Sequence, residues 1–358
     1  MNIIEIREFL HKIPELGFEE YKTKEFILNY AKNYSCVVKE FSSTGIILSF
    51  NDKKKKTICF RAEEDALEIE ERNDVPYRSI HKNRMHACGH DGHMAILLKL
   101  GDYITSHLDS IAYNVFLIFQ PSEEKYGGSK SLISSKILNE RNIVAFYSLH
   151  IWPQIPEGTI VTSFSPFLSK AVEFDITIHD ECRHIGDIRD NNSFNALGSL
   201  LKQIDTLDKN IHFRHKIGIG KIEGGSARNV SPSKITLNGS IRTFAEEDAK
   251  FIIEEMKRII IDISFSYSLF VNLSYNDDFY LVKNDMNLLN LIKDEIEIKD
   301  ISFYQSEDFG HYARLYPSAF FLLGGGNIPP LHRSTFNFNE NILKVGLEFY
   351  KKLLFKKY

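Results

Sequence analysis

The sequence predicts an α/β protein of two domains, the second of which is inserted into the first. Apolar, β-branched runs alternate with segments of helical spacing over residues 1–163, and this alternation resumes within residues 277–358. Between them, residues 164–276 show the order β-α-β-β-α-β, which is typical of a ferredoxin-like α+β unit. The chain of 358 residues is also longer than most domains that have a single hydrophobic core, which favours two domains.

The predicted elements of the first domain are short apolar strands and amphipathic helices. Its predicted strands are residues 45–50, 57–62, 115–119, 143–149 and 319–323, and its predicted helices are residues 3–14, 19–34, 286–296 and 340–355, with a further helix directly after residue 94. The inserted domain has predicted strands at 173–178, 216–221, 235–244 and 269–275, and predicted helices at 194–207 and 246–265.

Composition and charge exclude several classes of protein. The hydrophobic content of 43% and charged content of 26% are those of a soluble globular chain. The formal net charge is −4, and no basic stripe indicates a nucleic-acid partner. No apolar stretch reaches 18 residues, so we expect no membrane span. The cysteines, Cys36, Cys59, Cys88 and Cys182, are scattered, which favours a reducing, cytoplasmic location over a disulfide framework.

Residues 85–94 concentrate potential metal ligands. The run Met85-His-Ala-Cys-Gly-His-Asp-Gly-His-Met94 holds three imidazoles, one thiol and one carboxylate. These groups suit zinc, and imidazole with carboxylate also suits manganese, cobalt or nickel. Cys88 and His90 are two residues apart, so one tight turn can direct both toward one ion. The alternative is a polar loop with chance histidines, but so many ligand groups in ten residues favour a metal site.

Polar groups follow three successive strands of the first domain. Asp65, Glu124 and His150 come at the ends of the strands predicted at 57–62, 115–119 and 143–149. Strand ends that converge on one crevice are the usual way in which an α/β sheet forms a site. The neighbouring Glu123 and Glu124 point in opposite directions on an extended segment, so one can bind a metal while the other faces a water molecule. His332 also lies in a loop after a strand.

Several short motifs, in the order in which one enzyme family carries them, extend over nearly the whole chain. They include Arg61-Ala-Glu-Glu-Asp-Ala-Leu67, Met85-His-Ala-Cys-Gly-His-Asp-Gly-His93, Gln120-Pro-Ser-Glu-Glu124 and Gly224-Gly-Ser-Ala-Arg-Asn-Val230. Together these motifs resemble the amidohydrolase branch of the aminoacylase and carboxypeptidase-type metallopeptidases. That branch includes hippurate hydrolases, auxin-conjugate hydrolases and N-acetyldiaminopimelate deacetylases.

The resemblance implies a catalytic domain with a mixed sheet and an inserted lid or dimerisation domain, in a homodimer or homotetramer. It implies two divalent ions (Zn, Mn, Co or Ni) and a small-molecule N-acyl amino acid as substrate. The residues that match the metal ligands of the family are Cys88, His90, Glu124, His150 and His332. Glu123 matches the general base, and Asp65 matches the acid that orients a ligand imidazole. The residues that match positions contacting the substrate carboxylate or the tetrahedral intermediate are His184, Asn229 and Arg242.

The chain departs from the family pattern in the inserted domain and beside Asp65. Glu63 replaces a shorter acid, and Cys182-Arg-His-Ile185 replaces Gly-Gly-His-Ala. Arg228 stands where small or apolar residues are common. The metal set is intact, whereas the substrate pocket is altered. His86 and His93 flank the proposed ligands, and their role in orienting those ligands by hydrogen bonds is left open.

Three functions compete on this sequence. The first is hydrolysis of an N-acyl amino acid, with N-acetyl-diaminopimelate as the leading substrate and other N-acyl or N-aroyl amino acids as alternatives. The second is a dipeptidase or aminopeptidase of the same family, but Cys88-Gly-His90 favours the amidohydrolase branch, since the peptidase branch typically supplies Asp there. The third is a non-catalytic binding protein, which predicts the loss of Glu123 or of a metal ligand, and neither is lost.

Overall fold

The computed structural model describes residues 1–125, 127–139 and 141–358, with the backbone alone at 277 and 278. The chain forms two compact units. The outer unit comprises Met1–Phe167, Lys283–Ile301 and Asp308–Tyr358, and the inserted unit comprises Leu168–Val282 and Ser302–Glu307. The predicted domain boundaries, after residues 163 and 276, lie a few residues before the unit boundaries. The short segment Ser302–Glu307 returns to the inserted unit, and no pattern in the sequence indicates this.

The elements of the outer unit follow the predicted alternation. Its helices are α1 (Ile3–Lys12), α2 (Tyr21–Ala31), α3 (His90–Ser106), α4 (Gly128–Ser134), α7 (Met286–Ile292), α8 (Gly310–Leu315) and α9 (Ile342–Leu353). Its strands are β1 (Val37–Phe41), β2 (Gly45–Phe50), β3 (Lys56–Glu63), β4 (Asn114–Gln120), β5 (Asn142–Trp152), β6 (Ile160–Thr162), β11 (Glu297–Ile298) and β12 (Ser318–Gly324). The helix predicted at 286–296 ends at Ile292, where a single 3₁₀ turn follows.

One mixed sheet carries the outer unit. Within the described ranges it contains eight strands, in the order β1-β2-β4-β3-β5-β12-β6-β11. β3 lies between β4 and β5 and is parallel to both, and β12 is parallel to β5 on its other side. Since parallel strands end at the same edge of a sheet, the residues that follow β3 and β4 and the last residues of β5 lie together.

The apolar character of these strands follows from burial on both faces. Every residue of β2, β4 and β12 is buried. Central strands with both faces covered read as continuous apolar runs rather than as an alternation. Helix α3 packs on this sheet and also contacts α1 and α9. The core therefore fixes the start of α3, where His90 is the first helical residue.

The inserted unit has the predicted ferredoxin-like order. Its elements are β7 (Lys170–His179), α5 (Ser193–Asn210), β8 (His215–Gly224), β9 (Lys234–Thr243), α6 (Glu246–Tyr267) and β10 (Phe270–Phe279). The antiparallel sheet, counted over the described strands, has the order β10-β7-β9-β8. From Val172 onward, alternate residues of β7 are buried, because the sheet has a helix-covered face and an open face. None of the helices in the described ranges is both long and apolar enough to cross a membrane.

A buried arginine ties α1 to the start of α3 and to the segment before α9. Arg7 is 0% exposed, and its Nε donates to Oδ2 of Asp91 at 2.9 Å. One terminal nitrogen donates to Glu340 at 3.0 Å. The guanidinium lies over the rings of Tyr77 and Phe338, with 4.7 and 4.6 Å to the ring centroids. Arg7 lowers the pKa of Asp91, against the opposing effect of burial, so both groups are charged.

We expect Arg7→Met to lower the free energy of unfolding by about 3–5 kcal/mol, because it leaves the buried Asp91 carboxylate without its arginine. His11, whose Nδ1 lies 2.7 Å from Asp91, remains as a weaker partner. Urea unfolding of the wild-type and variant proteins measures the difference. Lys209→Met is the matched control, since it breaks an exposed pair with Asp205 at 2.6 Å and should change little. Similar small losses for both variants would contradict a stabilising role for Arg7.

Candidate metal centre

The turn that begins α3 presents two of the predicted ligands. Gly89 has a φ of 86°, in the left-handed region that glycine adopts without strain, and it directly precedes His90. The side chains of Cys88 and His90, one on each side of this glycine, are 6% and 1% exposed. The Sγ of Cys88 lies 3.3 Å from Nε2 of His150, which comes from β5. The thiol and two imidazoles therefore meet at the carboxyl edge of the sheet.

The structure brings all five predicted metal ligands into overlapping groups of ligand atoms. The ligand atoms of Cys88, His90 and His150 lie within 4.8 Å of one another. The same limit holds for Cys88 with Glu124 and His332. Cys88 belongs to both groups. Each group of ligand atoms could hold a metal ion.

The predicted general base lies in the same cluster. Ligand atoms of His90, Glu123 and Glu124 form a further group within 4.8 Å. Glu124 is held from its backbone, because its N–H donates to Oδ2 of Asp65 at 2.9 Å. Oε1 of Glu124 also lies 3.2 Å from Nε2 of His332. Glu123 and Glu124 are thus adjacent in the chain and both near the ligand set.

Hydrogen bonds set the ring orientations of the two buried histidines. Nδ1 of His90 donates to the backbone carbonyl of Asp65 at 2.8 Å. Nδ1 of His150 donates to the carbonyl of Ile151 at 2.7 Å. In the neutral form of each ring, Nε2 is therefore the unprotonated nitrogen, and this is the form of imidazole that binds a metal.

An unsatisfied polar atom and two pKa shifts fit a site for cations. Nε2 of His90 is buried, and no described residue forms a hydrogen bond with it. Burial lowers the pKa of His90, but the hydrogen bond to Asp65 and nearby carboxylates raise it to about 10. Burial and the charges of Glu124 and Glu123 raise the pKa of the Cys88 thiol well above its usual value. Nearby carboxylates contribute to both shifts, and divalent cations would neutralise their charge.

His332 differs from the other proposed ligands in exposure. Its side chain is 50% exposed, and its backbone has a φ of 63° in the left-handed region. A hydrogen bond from its N–H to the carbonyl of Ala87, at 2.9 Å, holds this loop beside the Cys88 segment. The strained backbone is therefore fixed by a specific contact, which is typical of functional loops.

The predicted substrate-binding residues belong to the inserted unit. The segments of His184 and Asn229 lie together, since the N–H of Ile185 donates to the carbonyl of Asn229 at 2.9 Å. Arg242 lies on β9, where its guanidinium donates to Ser306 at 2.5 Å and to Glu173 at 3.2 Å. The His184 and Asn229 segments thus share a corner of the unit. Arg242 is already paired with an acid that the sequence pattern did not single out.

Two buried groups lie beside the cluster: Glu64, to which the sequence assigned no role, and His93, whose role it left open. Glu64 is 0% exposed, and neither of its carboxylate oxygens has a hydrogen-bond partner among the described residues. Burial and the charges of Glu20 and Asp65 raise its pKa well above the usual value. His93 hydrogen-bonds Glu63 and is also fully buried. The acidic run at 63–65 was the available signal, but burial cannot be read from it.

Comparison with known proteins decides the family. Residues 59–356 match peptidase family M20/M25/M40. The chain belongs to this family. An N-acetyldiaminopimelate deacetylase of Anoxybacillus flavithermus is 32% identical over 359 residues, which cover 96% of this chain and 94% of the relative. The enzyme of the same name from Bacillus subtilis is 30% identical over 366 residues, covering 96% of each chain.

A solved structure of this M20 family has the same fold. The Bacillus subtilis protein described as a dinuclear metal-binding peptidase superposes with a TM-score of 0.85 at 25% identity, covering 98% of this chain and 96% of that one. The predicted fold class, a mixed-sheet catalytic domain with an inserted ferredoxin-like domain, is confirmed by this likeness. The family match likewise confirms the prediction that the chain is a hydrolase of the metallopeptidase and amidohydrolase type.

Proposed function

We propose that this M20 hydrolase cleaves the amide bond of an N-acyl amino acid, releasing a carboxylate and a free amino acid. The observation that carries the proposal is the convergence of a thiol, three imidazoles and two neighbouring carboxylates at one edge of the sheet. In this proposal the residues that hold two divalent ions are Cys88, His90, Glu124, His150 and His332. Zinc, manganese, cobalt and nickel all accept such a donor set.

The residues of the cluster have different proposed roles in hydrolysis. Divalent ions, when bound, would supply Lewis-acid polarisation of the amide carbonyl and would make water more acidic. Glu123 is the proposed base, which takes a proton from the attacking water at its carboxylate and passes it to the leaving amine nitrogen. Asp65 keeps the His90 ring oriented through its backbone carbonyl and holds the Glu124 backbone through its carboxylate. Both contacts reduce the freedom of the ligand set before substrate binds.

The proposed substrate is N-acetyl-diaminopimelate, an intermediate of lysine biosynthesis. Its support is the name shared by two relatives that are at least 30% identical over at least 94% of both chains. Peptide cleavage is the second candidate function, because the solved Bacillus subtilis relative is described as a peptidase. Other N-acyl or N-aroyl amino acids would fit the same reaction at the cluster.

A substrate panel tests the proposed reaction. The protein, reconstituted separately with Zn²⁺, Mn²⁺, Co²⁺ and Ni²⁺, is incubated with N-acetyl-diaminopimelate, other N-acyl amino acids and dipeptides, and released amine is measured. We expect the highest kcat/KM on an N-acyl amino acid. Preferential cleavage of dipeptides would favour the second candidate, and no hydrolysis of any compound would refute the proposed function.

We expect Arg242→Ala to reduce kcat/KM tens- to hundreds-fold on substrates with a free α-carboxylate, because a buried charge-assisted contact contributes about 1.5–3 kcal/mol. We propose that Arg242 binds this carboxylate, together with His184 and Asn229. Steady-state kinetics on an N-acyl amino acid and its amide measure the effect, which should be small on the uncharged amide.

Lys216→Ala is the matched control for Arg242, since Lys216 is the residue opposite Arg242 in the β8–β9 pairing. It also carries a positive charge but does not match a substrate-binding position. Equal losses on the acid and the amide would show that Arg242 acts through its contacts to Glu173 and Ser306 instead.

A further inference from the structure

His93 lies in the ligand-rich segment, and its ring is close to two proposed ligands. Ligand atoms of His93, His90 and Glu63 lie within 4.8 Å of one another, so His93 would pass as a metal ligand on proximity alone. The ring centroids of His93 and His150 are 4.7 Å apart, in an edge-to-face arrangement. What distinguishes His93 is the use of both its ring nitrogens in hydrogen bonds to the protein.

The two nitrogens of His93 have fixed and opposite roles. Nδ1 donates to Oε2 of Glu63 at 2.8 Å. Nε2 accepts the backbone N–H of Ile151 at 2.9 Å. A neutral imidazole has one donor and one acceptor, and here each is satisfied. The lone pair that a metal ion would need is therefore already engaged by a backbone amide.

The sheet explains why Ile151 needs this acceptor. The pairing of β5 with β3 ends at Ser148, whereas its pairing with β12 continues to Trp152. Ile151 thus extends beyond β3, where no strand partner is available on that side in the described ladders. A buried N–H without an acceptor is costly, and His93 removes this cost.

The residue held by His93 also orients His150. The carbonyl of Ile151 accepts Nδ1–H of His150 at 2.7 Å, and this bond sets which nitrogen of His150 faces Cys88. The N–H of Ile151 therefore binds His93, and the carbonyl of the same residue binds His150. Movement of the Ile151 backbone would rotate the His150 ring.

The other side of His93 is anchored in a buried ionic network. Glu63 also accepts from Arg61, and both side chains are 0% exposed. The guanidinium of Arg61 donates to Asp308 at 2.5 Å and to Gln120 at 3.1 Å. Asp308 in turn accepts from Gln120 at 2.8 Å. This network ties the ring of His93 to three strands or loops of the outer unit, so the ring cannot turn freely.

We propose that His93 is a positioning residue: Nε2 holds the Ile151 backbone so that His150 faces Cys88, and His93 does not bind a metal ion. The inference rests on the proposed function, because it assigns His150 to a metal site. It also gives Glu63, which departs from the family pattern, a defined task as the acceptor for Nδ1 of His93.

Two substitutions separate the roles of the two nitrogens. In His93→Asn the amide nitrogen lies near the position of Nδ1 and can still donate to Glu63, but the acceptor for Ile151 is lost. In His93→Gln the longer side chain brings its carbonyl oxygen near the position of Nε2, so Ile151 keeps an acceptor. A ligand role predicts that both variants lose metal affinity, whereas a positioning role predicts that His93→Gln rescues it.

Co²⁺ binding to apoprotein, measured by calorimetry and visible absorption, is the test. We expect His93→Asn to weaken Co²⁺ binding roughly ten- to a hundredfold and to alter the absorption bands, with His93→Gln near wild type. An equal loss of Co²⁺ affinity in both variants, or no loss in either, would overturn the inference. The metal site itself would stand as long as the wild-type protein binds Co²⁺. Wild-type protein that binds no Co²⁺ would overturn both this inference and the proposed function.

A measurement on the wild-type protein covers the case in which the variants do not fold. Anomalous X-ray diffraction from Zn²⁺-loaded crystals locates the ions without any substitution. We expect the ions beside His90 and His150, with His93 still bonded to Ile151. An ion at about 2.0–2.1 Å from Nε2 of His93, the usual Zn–N distance, would show that His93 is a ligand.

Discussion

Glu123→Gln is expected to reduce kcat on the order of a hundredfold or more while metal content stays near the wild-type value. Gln is similar in size to Glu but cannot accept the proton of the attacking water. Glu123 belongs to the donor group with His90 and Glu124, which places its carboxylate beside the proposed ions. Turnover of an N-acyl amino acid and metal content by mass spectrometry are measured on the same samples.

Glu124→Gln provides the contrast for Glu123, because it removes a charge from the next residue and from a proposed ligand. We expect Glu124→Gln to lower metal content as well as turnover, whereas Glu123→Gln lowers turnover alone. A Glu123→Gln enzyme that keeps more than about a tenth of wild-type kcat would contradict its role as general base. Loss of metal in both variants would place both carboxylates among the ligands.

Chelation is expected to abolish activity reversibly without unfolding the protein. The proposed ligands are anchored on a large apolar core, and many of its residues are fully buried, including Phe60, Leu117 and Phe321. This burial does not depend on a metal ion, since the core is large enough to support the fold. Circular dichroism should therefore be unchanged after dialysis against a chelator, and added Zn²⁺, Mn²⁺, Co²⁺ or Ni²⁺ should restore activity to different degrees.

The outcome that would contradict this expectation is loss of the far-ultraviolet dichroism signal together with the metal. Such a loss would show that the ions are structural and stabilise the fold. Activity that persists after complete removal of metal would show instead that the cluster of Cys88, His90 and His150 is not required for catalysis.

The sequence was sufficient to predict the main strands, because each of them is marked by an apolar run within its own residues. The apolar runs that form β2, β4 and β12 are buried along their whole length, and such runs are visible without a structure. β6 and β11 were missed, since three and two residues are too short to show a periodicity. β1 was missed as well, because it is mostly exposed and does not form a continuous apolar run. The return of residues 302–307 to the inserted unit depends on long-range packing, which no local pattern encodes.

The sequence predicted which residue types form the candidate site, but it did not predict the hydrogen bonds between them. Cys88 and His90 stood out because thiol and imidazole are common ligands, and the structure brings them together with His150. His86, His90 and His93 are alike in sequence, and only their partners distinguish them. His93 is engaged by Glu63 and by the backbone of Ile151, whereas both ring nitrogens of His86 have no hydrogen-bond partner among the described residues.

Arg242 shows a further limit of sequence reasoning. Its match to a substrate-binding position predicts a contact with substrate, and the structure pairs its guanidinium with Glu173 at 3.2 Å. Glu173 is on β7 and is 69 residues away in the chain, so the pair arises only from strand pairing in the inserted unit. A substrate carboxylate would have to compete with this acid or share the guanidinium with it.

Metal titration of the apoprotein, with hydrolysis of an N-acyl amino acid followed in the same samples, tests the central claim most directly. The claim is that two divalent ions, held by the cluster at the edge of the sheet, support amide hydrolysis. We expect no turnover by the metal-free protein, and activity that rises with added Co²⁺ or Zn²⁺ until two ions are bound per chain, as in other two-metal hydrolases. Full activity in metal-free protein, or saturation with metal that yields no hydrolysis of any N-acyl amino acid, would contradict it.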